Sequence, residues 1–171
     1  KLIFSHFNMD IANLNSGKKG MATKVPIKIN CRFMDVSPMV VDWGLDTSST
    51  NDAFNIKGSI SSLPANHINA FIEPYLKVRA AGSIQNLAFD LNGNKTGIKG
   101  SMRMKHHDLK ISILNKEGEK NKLLSSIANV FVKSNSKKFP ETVTIDKVER
   151  DPSKSFFNFF WKGIKEGWKK H

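Results

Sequence analysis

The feature that most constrains this chain is the alternation of apolar and polar side chains that begins near residue 24 and continues to residue 37. Successive side chains of an extended strand point to opposite sides, so the segment predicts a strand with one dry and one wet face. Its apolar positions are Val25, Ile27, Ile29, Cys31 and Phe33. Similar runs recur at residues 39–45, 54–60, 78–84, 87–91, 98–104, 109–113 and 142–148. We therefore predict a mainly β (α+β) fold, with a curved, mostly antiparallel sheet, short capping helices and a C-terminal amphipathic helix.

The apolar positions change from even to odd numbers between Ile84 and Leu87. Because side chains alternate along a strand, this change requires one extra residue, and we expect a bulge at residues 85–86. The Asn-Gly-Asn sequence at residues 92–94 favours a hairpin turn shortly afterwards.

A weak internal repeat places a Gly-Ser pair inside three of the predicted strands. The pairs begin at Gly58, Gly82 and Gly100. Glycine inside a strand usually marks a bend, a bulge or a close approach of two backbones. We interpret the repeat as curvature of the sheet, and the alternative is a sheet that curves repeatedly around a ligand.

Two segments break the alternation and predict short helices. Pro64 suits the first turn of a helix, and Pro74 limits its continuation. The apolar side of this first helix consists of Ile68, Phe71, Ile72 and Tyr75. Asn121 can cap a second helix. The apolar side of the second helix consists of Leu123, Leu124, Ile127 and Phe131. We expect both helices to close the ends of the sheet.

The last segment, residues 152–171, is predicted to form an amphipathic helix beside a sheet domain of residues 1–151. Gly163 and Gly167 each weaken a helix by about 1 kcal/mol relative to Ala, so an external apolar surface must stabilise it. That surface is either the sheet of the same domain or an anionic membrane, because aromatic residues flanked by Lys favour such a boundary. The candidate residues for binding a membrane or an envelope protein are Phe156, Phe157, Phe160, Trp161, Lys162, Ile164, Lys165, Trp168 and Lys169.

Signals for catalysis or metal binding are weak. The Lys-Thr-Gly triplet at residues 95–97 occurs in penicillin-recognising enzymes, but here it and the Ser-x-x-Lys at residues 16–19 lie in predicted loops. His106 and His107 are neighbours on a predicted strand and therefore point to opposite sides. Cys31 lies on an apolar strand face and is most simply a small core residue. We expect no enzymatic activity, no metal and no cofactor.

The net charge of the chain limits the classes of binding partner that we expect. The 171 residues include 27 Lys and Arg against 15 Asp and Glu, which gives a net charge of +12. Zinc-finger spacing and a ribonucleoprotein motif are both missing from the sequence, so we do not expect a nucleic-acid partner. Anionic lipid head groups attract the same positive charge. The longest dense apolar run falls far short of the roughly 20 residues that cross a bilayer.

Several short motifs resemble the C-terminal region of AsmA-like bacterial envelope proteins. They are Gly-Ser-Ile leading to Leu-Pro at 58–64, Glu-Pro-Tyr-Leu at 73–76, Ala-Gly-Ser-Ile opening 81–89, Ile-Lys-Gly-Ser-Met at 98–102, His-Asp-Leu opening 107–111, and the aromatic tail 151–164. Members of that family are anchored in the inner membrane, extend through the periplasm as a curved sheet with an apolar groove, and take part in phospholipid traffic to the outer membrane. The resemblance implies a periplasmic, membrane-associated module of a longer inner-membrane-anchored protein.

The function expected from this resemblance is non-enzymatic binding or transport of phospholipid, or of another acyl-chain lipid, in an apolar groove. The candidate groove residues are Val25, Ile27, Ile29, Phe33, Phe89, Leu91, Ile98, Met102, Met104, Ile111 and Ile113. The alternative is a protein–protein interaction or assembly module of the envelope, whose sheet is closed by its own helices. A large open apolar channel would favour the lipid module, and a closed core would favour the assembly module.

Overall fold

The computed structural model describes residues 1–14, 23–76, 78–114, 127–132 and 142–170. Within these ranges eight strands form one open antiparallel sheet. The strands are β1 (Phe4–Ile11), β2 (Lys24–Phe33), β3 (Ser37–Asp46), β4 (Phe54–Pro64), β5 (Val78–Gly93), β6 (Gly97–Leu114), β7 (Ile127–Val132) and β8 (Val143–Glu149). A 3-10 turn (Ala65–Ile68) leads into helix α1 (Asn69–Leu76), and helix α2 (Phe156–Lys170) follows β8. The predicted mainly β fold with a C-terminal helix is confirmed.

The strands lie side by side in the order of the chain from β1 to β7. The long strand β6 has two partners on its outer edge: β8 pairs with its first part, Gly97–Met102, and β7 pairs with its last part, Lys110–Leu114. A meander of this kind needs only short connections, as turn-rich alternating sequences favour.

Register aligns the apolar positions of successive strands into rows. One row crosses the sheet from β1 to β8 and consists of Ile11, Ile27, Trp43, Ile56, Leu91, Gly100 and Ile145. Directly opposite residues of antiparallel strands lie on the same side of a sheet. The odd positions of β2 and the even positions of β4 and early β6 therefore build one continuous side, which we call the apolar face.

The opposite side carries a row of alternating charges. It consists of Asp10, Lys28, Asp42, Lys57 and Asp90, each directly opposite the next on five neighbouring strands. Lys57 Nζ lies 3.2 Å from Asp90 Oδ2, and the Asn55 amide donates to Asp90 Oδ1 over 2.9 Å. Opposite charges across strands favour this register, and a slip by one residue would also turn the apolar face outward.

The bulge expected at residues 85–86 is present. The pairing of β5 with β6 shifts between Ile84 and Asn86, where β5 has one residue more than β6. A second shift, between Ala81 and Ser83, has the opposite sign, and Gly82 there has a φ of +91°. A side chain at Gly82 would also collide with the Asp108 carbonyl, so the bend needs glycine.

The other two glycines of the repeat, Gly58 and Gly100, make room for neighbours, as does Gly93. Gly58 and Gly93 each lie directly opposite a phenylalanine, Phe89 and Phe54 respectively, whose ring covers the glycine. A Cβ at Gly100 would overlap the Asp90 backbone carbonyl of the adjacent strand. The Gly-Ser repeat therefore marks both a bend and close approaches between strands.

The first predicted helix is confirmed as the 3-10 turn and α1. Pro64 is the last residue of β4 and the residue before the turn, and Pro74 lies in the last turn of α1. The Asn69 side chain donates to the Ala80 carbonyl over 2.9 Å and accepts from the Ala80 N–H over 2.8 Å, which fixes α1 to β5. Ile68 and Ile72 are buried against the sheet, as expected.

The second predicted helix is wrong where it can be compared. Residues 127–132, which include Ile127 and Phe131, form strand β7 on the edge of β6. This segment is short and rich in β-branched residues, and the open edge of β6 supplies backbone partners that a helix cannot use. The proposed cap Asn121 and the positions Leu123 and Leu124 lie outside the described residues, as does the Ser-x-x-Lys at residues 16–19.

Candidate functional site: an apolar face and its covering helix

The candidate groove residues all occupy apolar-face positions of β2, β5 and β6. They divide between two buried clusters. Phe33 and Met104 pack beneath α1 with Leu63 and Ile84, and Ile111 packs against this cluster. Phe89, Leu91, Ile98 and Met102 pack beneath α2, and Ile29 packs against their edge. Val25 and Ile27 are buried on β2, and for Ile113 only the strand position is described.

Two sets of hydrogen bonds between polar residues immediately precede α2. The backbone N–H and hydroxyl of Ser153 donate to Asp151 Oδ1 over 2.9 and 2.6 Å, and these bonds hold the pKa of the Asp151 carboxyl below its usual value. The Ser155 hydroxyl then accepts from the Asn158 N–H over 3.2 Å, as an N-cap does. The helix therefore begins at Phe156, four residues after the start of the helical segment predicted from the sequence, residue 152.

Aromatic contacts join the first half of α2 to four other elements. Phe156 stacks on Trp43 of β3 with ring centroids 5.3 Å apart, and its edge meets Phe54 of β4. Phe160 meets Phe89 of β5 at 5.6 Å. Trp161 meets Phe71 of α1 at 4.8 Å, so the two helices touch above the apolar face.

Glycines bring the second half of α2 closest to the sheet. A methyl group placed on Gly163 would lie 3.2 Å from the Ile98 Cγ2 atom. One placed on Gly167 would lie 2.8 Å from Met102 Cε and 2.9 Å from Ile145 Cδ1. The two glycines that weaken the isolated helix are thus the positions at which its backbone rests on the apolar face.

The buried side of α2 differs from the predicted stripe. Phe159, which the stripe left out, is only 1% exposed, whereas Phe157, which it included, is 47% exposed. The buried side consists of Phe156, Phe159, Phe160, Gly163, Ile164 and Gly167. Gly163 and Gly167 lie on the buried side because they rest on the sheet, and this rotates the buried side toward Phe159 relative to the predicted stripe. The spacing of Phe159 from Phe156 and Gly163 was the signal that could have found it.

The structure docks this helix on its own sheet, the first of the two surfaces considered from the sequence. Phe160, Trp161 and Ile164 face the sheet or α1, while Lys162 and Lys165 are half-buried at the flanks. The side chains of Trp168 and Lys169 lie outside the described residues. Neither described helix is both long enough and apolar enough to cross a bilayer.

A small cavity of about 80 Å³ remains between α2, the 3-10 turn and the sheet. Its walls are apolar side chains, including Phe33, Leu87, Met104 and Trp161. Pockets that hold small molecules usually have about 300–1,000 Å³. The groove is therefore nearly filled by the side chains of α2.

Helix α2 (Phe156–Lys170) covers part of the apolar face, and we call it the cover. The apolar face continues past the cover onto the edge strand β1. Met9 and Ile11 lie directly opposite Ile29 and Ile27, yet they are exposed. We call the exposed apolar residues of β1 the margin: Phe4, Phe7, Met9 and Ile11, each between 41% and 55% exposed. Strand β1 was not predicted from the sequence. Phe7, Met9 and Ile11 alternate with polar residues, but a register shift after Ser5 interrupts the pattern.

The residues considered for chemistry are dispersed. His106 is buried and His107 exposed, so the two point to opposite sides as predicted. Lys95 Nζ donates to the Thr50 carbonyl in a turn. Cys31 is buried on the apolar face, and this burial raises the pKa of its thiol. Across the described ranges, no three His, Cys, Asp or Glu side chains are grouped as metal ligands would be.

One buried polar atom lies at the edge of the cover. The indole Nε1 of Trp43 is buried beneath Phe156 and has no hydrogen-bond partner among the described residues. Buried donors without partners are uncommon in folded proteins, and each one calls for a physical explanation.

Comparison of the chain with models of protein families, with curated proteins and with solved structures finds no match.

Proposed function

We propose that this chain is a non-enzymatic lipid-binding module of the bacterial cell envelope, whose apolar face receives the acyl chain of a phospholipid. The observation that supports it is the apolar face itself, which runs from the exposed margin on β1 to Ile145 on β8 along one row of the sheet. The resemblance to AsmA-like proteins supports a periplasmic location within a longer, inner-membrane-anchored protein.

An acyl chain suits this surface because the chain carries no polar groups that need hydrogen-bond partners. Each methylene buried on the face contributes about 0.8 kcal/mol, so a chain gains affinity in proportion to the length it buries. Such a surface selects for apolar length rather than for head-group chemistry. The cavity walls match this requirement, since they are formed by residues such as Phe33, Leu87 and Met104.

The outer side of α2 gives the module a second contact, with an anionic membrane surface. Lys154 is exposed, Lys162 and Lys165 lie at the flanks, and Phe157 presents its ring to solvent. A Lys near an anionic bilayer contributes about 1 kcal/mol, and an aromatic ring favours the interfacial region. This contact would bring the groove to the lipid that it binds.

Site-specific photocrosslinking tests the lipid-binding proposal. A photoreactive amino acid is placed at Ile29, on the apolar face, or at the adjacent Asn30, which lies on the polar side of β2 and is exposed. The protein is purified without detergent and examined for bound lipid by native mass spectrometry. We expect co-purified lipid and crosslinks at position 29 but not at position 30. Absence of lipid, or equal crosslinking at both positions, would contradict the proposal.

A second function, the assembly module, is favoured by a different observation. The groove is nearly filled, while the margin leaves an apolar edge strand available for pairing with a strand of another protein. Phe7→Lys combined with Met9→Lys should then abolish binding to an envelope protein, while native mass spectrometry still finds co-purified lipid. Crosslinking at position 29 does not serve as the readout for this variant, because Met9 lies directly opposite Ile29. Loss of lipid with no effect on protein binding would favour the lipid module alone.

A further inference from the structure

The groove candidates and the membrane-binding segment, both predicted from the sequence, pack against each other in the structure. Phe160 packs on Phe89, Gly163 lies against Ile98 and Leu91, and Gly167 lies against Met102. These sheet residues are groove candidates, and their helix partners belong to the membrane-binding segment. With about 80 Å³ left between them, an acyl chain cannot lie on this part of the face while α2 is docked.

Much of the contact between the docked helix and the sheet is apolar. It consists of aromatic rings and methyl groups, which a bilayer interface or an acyl chain also supplies, and the Arg150 guanidinium lies 5.8 Å from the centre of the Phe159 ring. Docking also covers Trp43 Nε1 without giving it a partner, and removal of Phe156 would expose this donor to water or to an ester oxygen. The apolar contacts that the sheet loses when α2 leaves are therefore of a kind that an acyl chain can replace.

We infer that α2 is a displaceable cover of the acyl-chain site: the helix and the acyl chain compete for the apolar face, and an anionic membrane draws the helix away. This inference rests on the proposed lipid-binding function. In the exchange, Phe156, Phe159 and Ile164 move from the sheet to the membrane interface, and an acyl chain takes their place. Because apolar area is buried on both sides of the exchange, the attraction of Lys154, Lys162 and Lys165 to anionic head groups decides its direction.

Crosslinking beneath the cover tests the competition. A photoreactive amino acid at Ile98, which is fully buried next to Gly163, is used with phosphatidylglycerol vesicles and with neutral phosphatidylcholine vesicles. We expect lipid crosslinks at position 98 to be several-fold stronger with the anionic vesicles. Hydrogen exchange on the same unmodified chain should show faster exchange of the backbone amides in the first turn of α2, residues 155–159, while lipid is bound, because this turn leaves the sheet.

Matched alanine substitutions separate the docking contact of α2 from its helix propensity. Gly163→Ala with Gly167→Ala crowds Ile98, Met102 and Ile145 but raises the intrinsic helix propensity. This variant should crosslink lipid at position 98 several-fold more than the wild type. Asn158→Ala, on the exposed side of α2, adds helix propensity without crowding and should behave as the wild type.

Failure of the cover and failure of lipid binding give different results. Lipid crosslinks at position 29, with none at position 98 and with no faster exchange in the first turn of α2, would overturn the displaceable cover and leave the lipid-binding function intact. Release of α2 to vesicles without lipid at either position would overturn lipid binding itself. If the double alanine variant unfolds, the displaceable cover is still tested by crosslinking at position 98 of the otherwise wild-type chain, with anionic and with neutral vesicles.

Discussion

The covered and uncovered parts of the apolar face have the same strand pattern but different surroundings. Along one row, Leu91 is fully buried beneath α2, whereas Ile11, four strands away, is 43% exposed. In the sequence, Leu91 lies between Asp90 and Asn92, and Ile11 ends the alternating run Phe7, Met9 and Ile11. Alternation therefore identifies the side of a sheet to which a residue belongs, while burial depends on whether a helix covers that part of the side.

The largest effect should come from truncating the cover. Phe159→Ala is expected to lower the free energy of unfolding by about 3–5 kcal/mol, because it leaves a large void between α2 and the sheet. Phe7→Ala in the margin should change it by about 0.5 kcal/mol or less. Urea unfolding of both variants measures the difference. Equal losses would mean that the margin is also packed against a partner.

A charge reversal on the polar side separates the effect of the cover from that of strand register. Asp42→Lys would place three Lys side by side, at positions 28, 42 and 57, and leave the apolar face unchanged. Like charges directly opposite are destabilising, so we expect a loss of about 1 kcal/mol that shrinks as salt is added. Asp42→Asn is the matched control and should lose less. A loss that does not respond to salt would contradict this electrostatic account.

Trp43 tests how well the cover fits. Trp43→Phe removes the unpartnered Nε1 and keeps a ring for Phe156 to stack on. We expect the free energy of unfolding to fall by less than about 1 kcal/mol, because relief of an unpaired buried donor offsets the lost ring volume. Thermal and urea unfolding provide the measurement. A loss above about 2 kcal/mol would show that the indole N–H is well paired.

The smallest effect concerns the turn that precedes the cover. Hydrogen bonds from Ser153 lower the folded-state pKa of Asp151, so the stability that this carboxylate contributes is present above its unfolded pKa of about 3.9 and is lost as the pH falls through the folded pKa. Tryptophan fluorescence of the Trp43–Phe156 contact should report a loosening of α2 in this acidic range. The change should be smaller in Asp151→Asn, which is already uncharged.

Asp46 provides the matched control for that titration. It accepts from the Ser48 N–H and hydroxyl at 3.0 and 2.6 Å, in the same geometry as Asp151, and its pKa is also lowered. It is the last residue of β3, at the start of the turn that leads to β4. Asp46→Asn should therefore leave the fluorescence response of the wild type unchanged, and an altered response would assign the acid transition to another turn.

The sequence predicted the sheet well because period-two alternation is a local property of each strand. Strands, the bulge near Gln85 and the first helix all follow from residues within a few positions of one another. Strand β7 could not be separated from a helix, since the choice depends on the free edge of β6. The side of α2 that faces the sheet could not be predicted for a related reason. Gly163 and Phe159 are buried because they contact Ile98 and Phe54, which are distant in the sequence.

The two opposed register shifts between β5 and β6 restrict how the length of the chain can change. The extra residue of β5 at Gln85 and the extra residue of β6 near Asp108 cancel, so pairing resumes in the same register on both sides of the bent stretch. Deleting Gln85 alone would turn either Leu87 and Phe89 or Ile84 toward the charged side. Insertions and deletions in this hairpin are therefore tolerable only as compensating pairs, one in each strand.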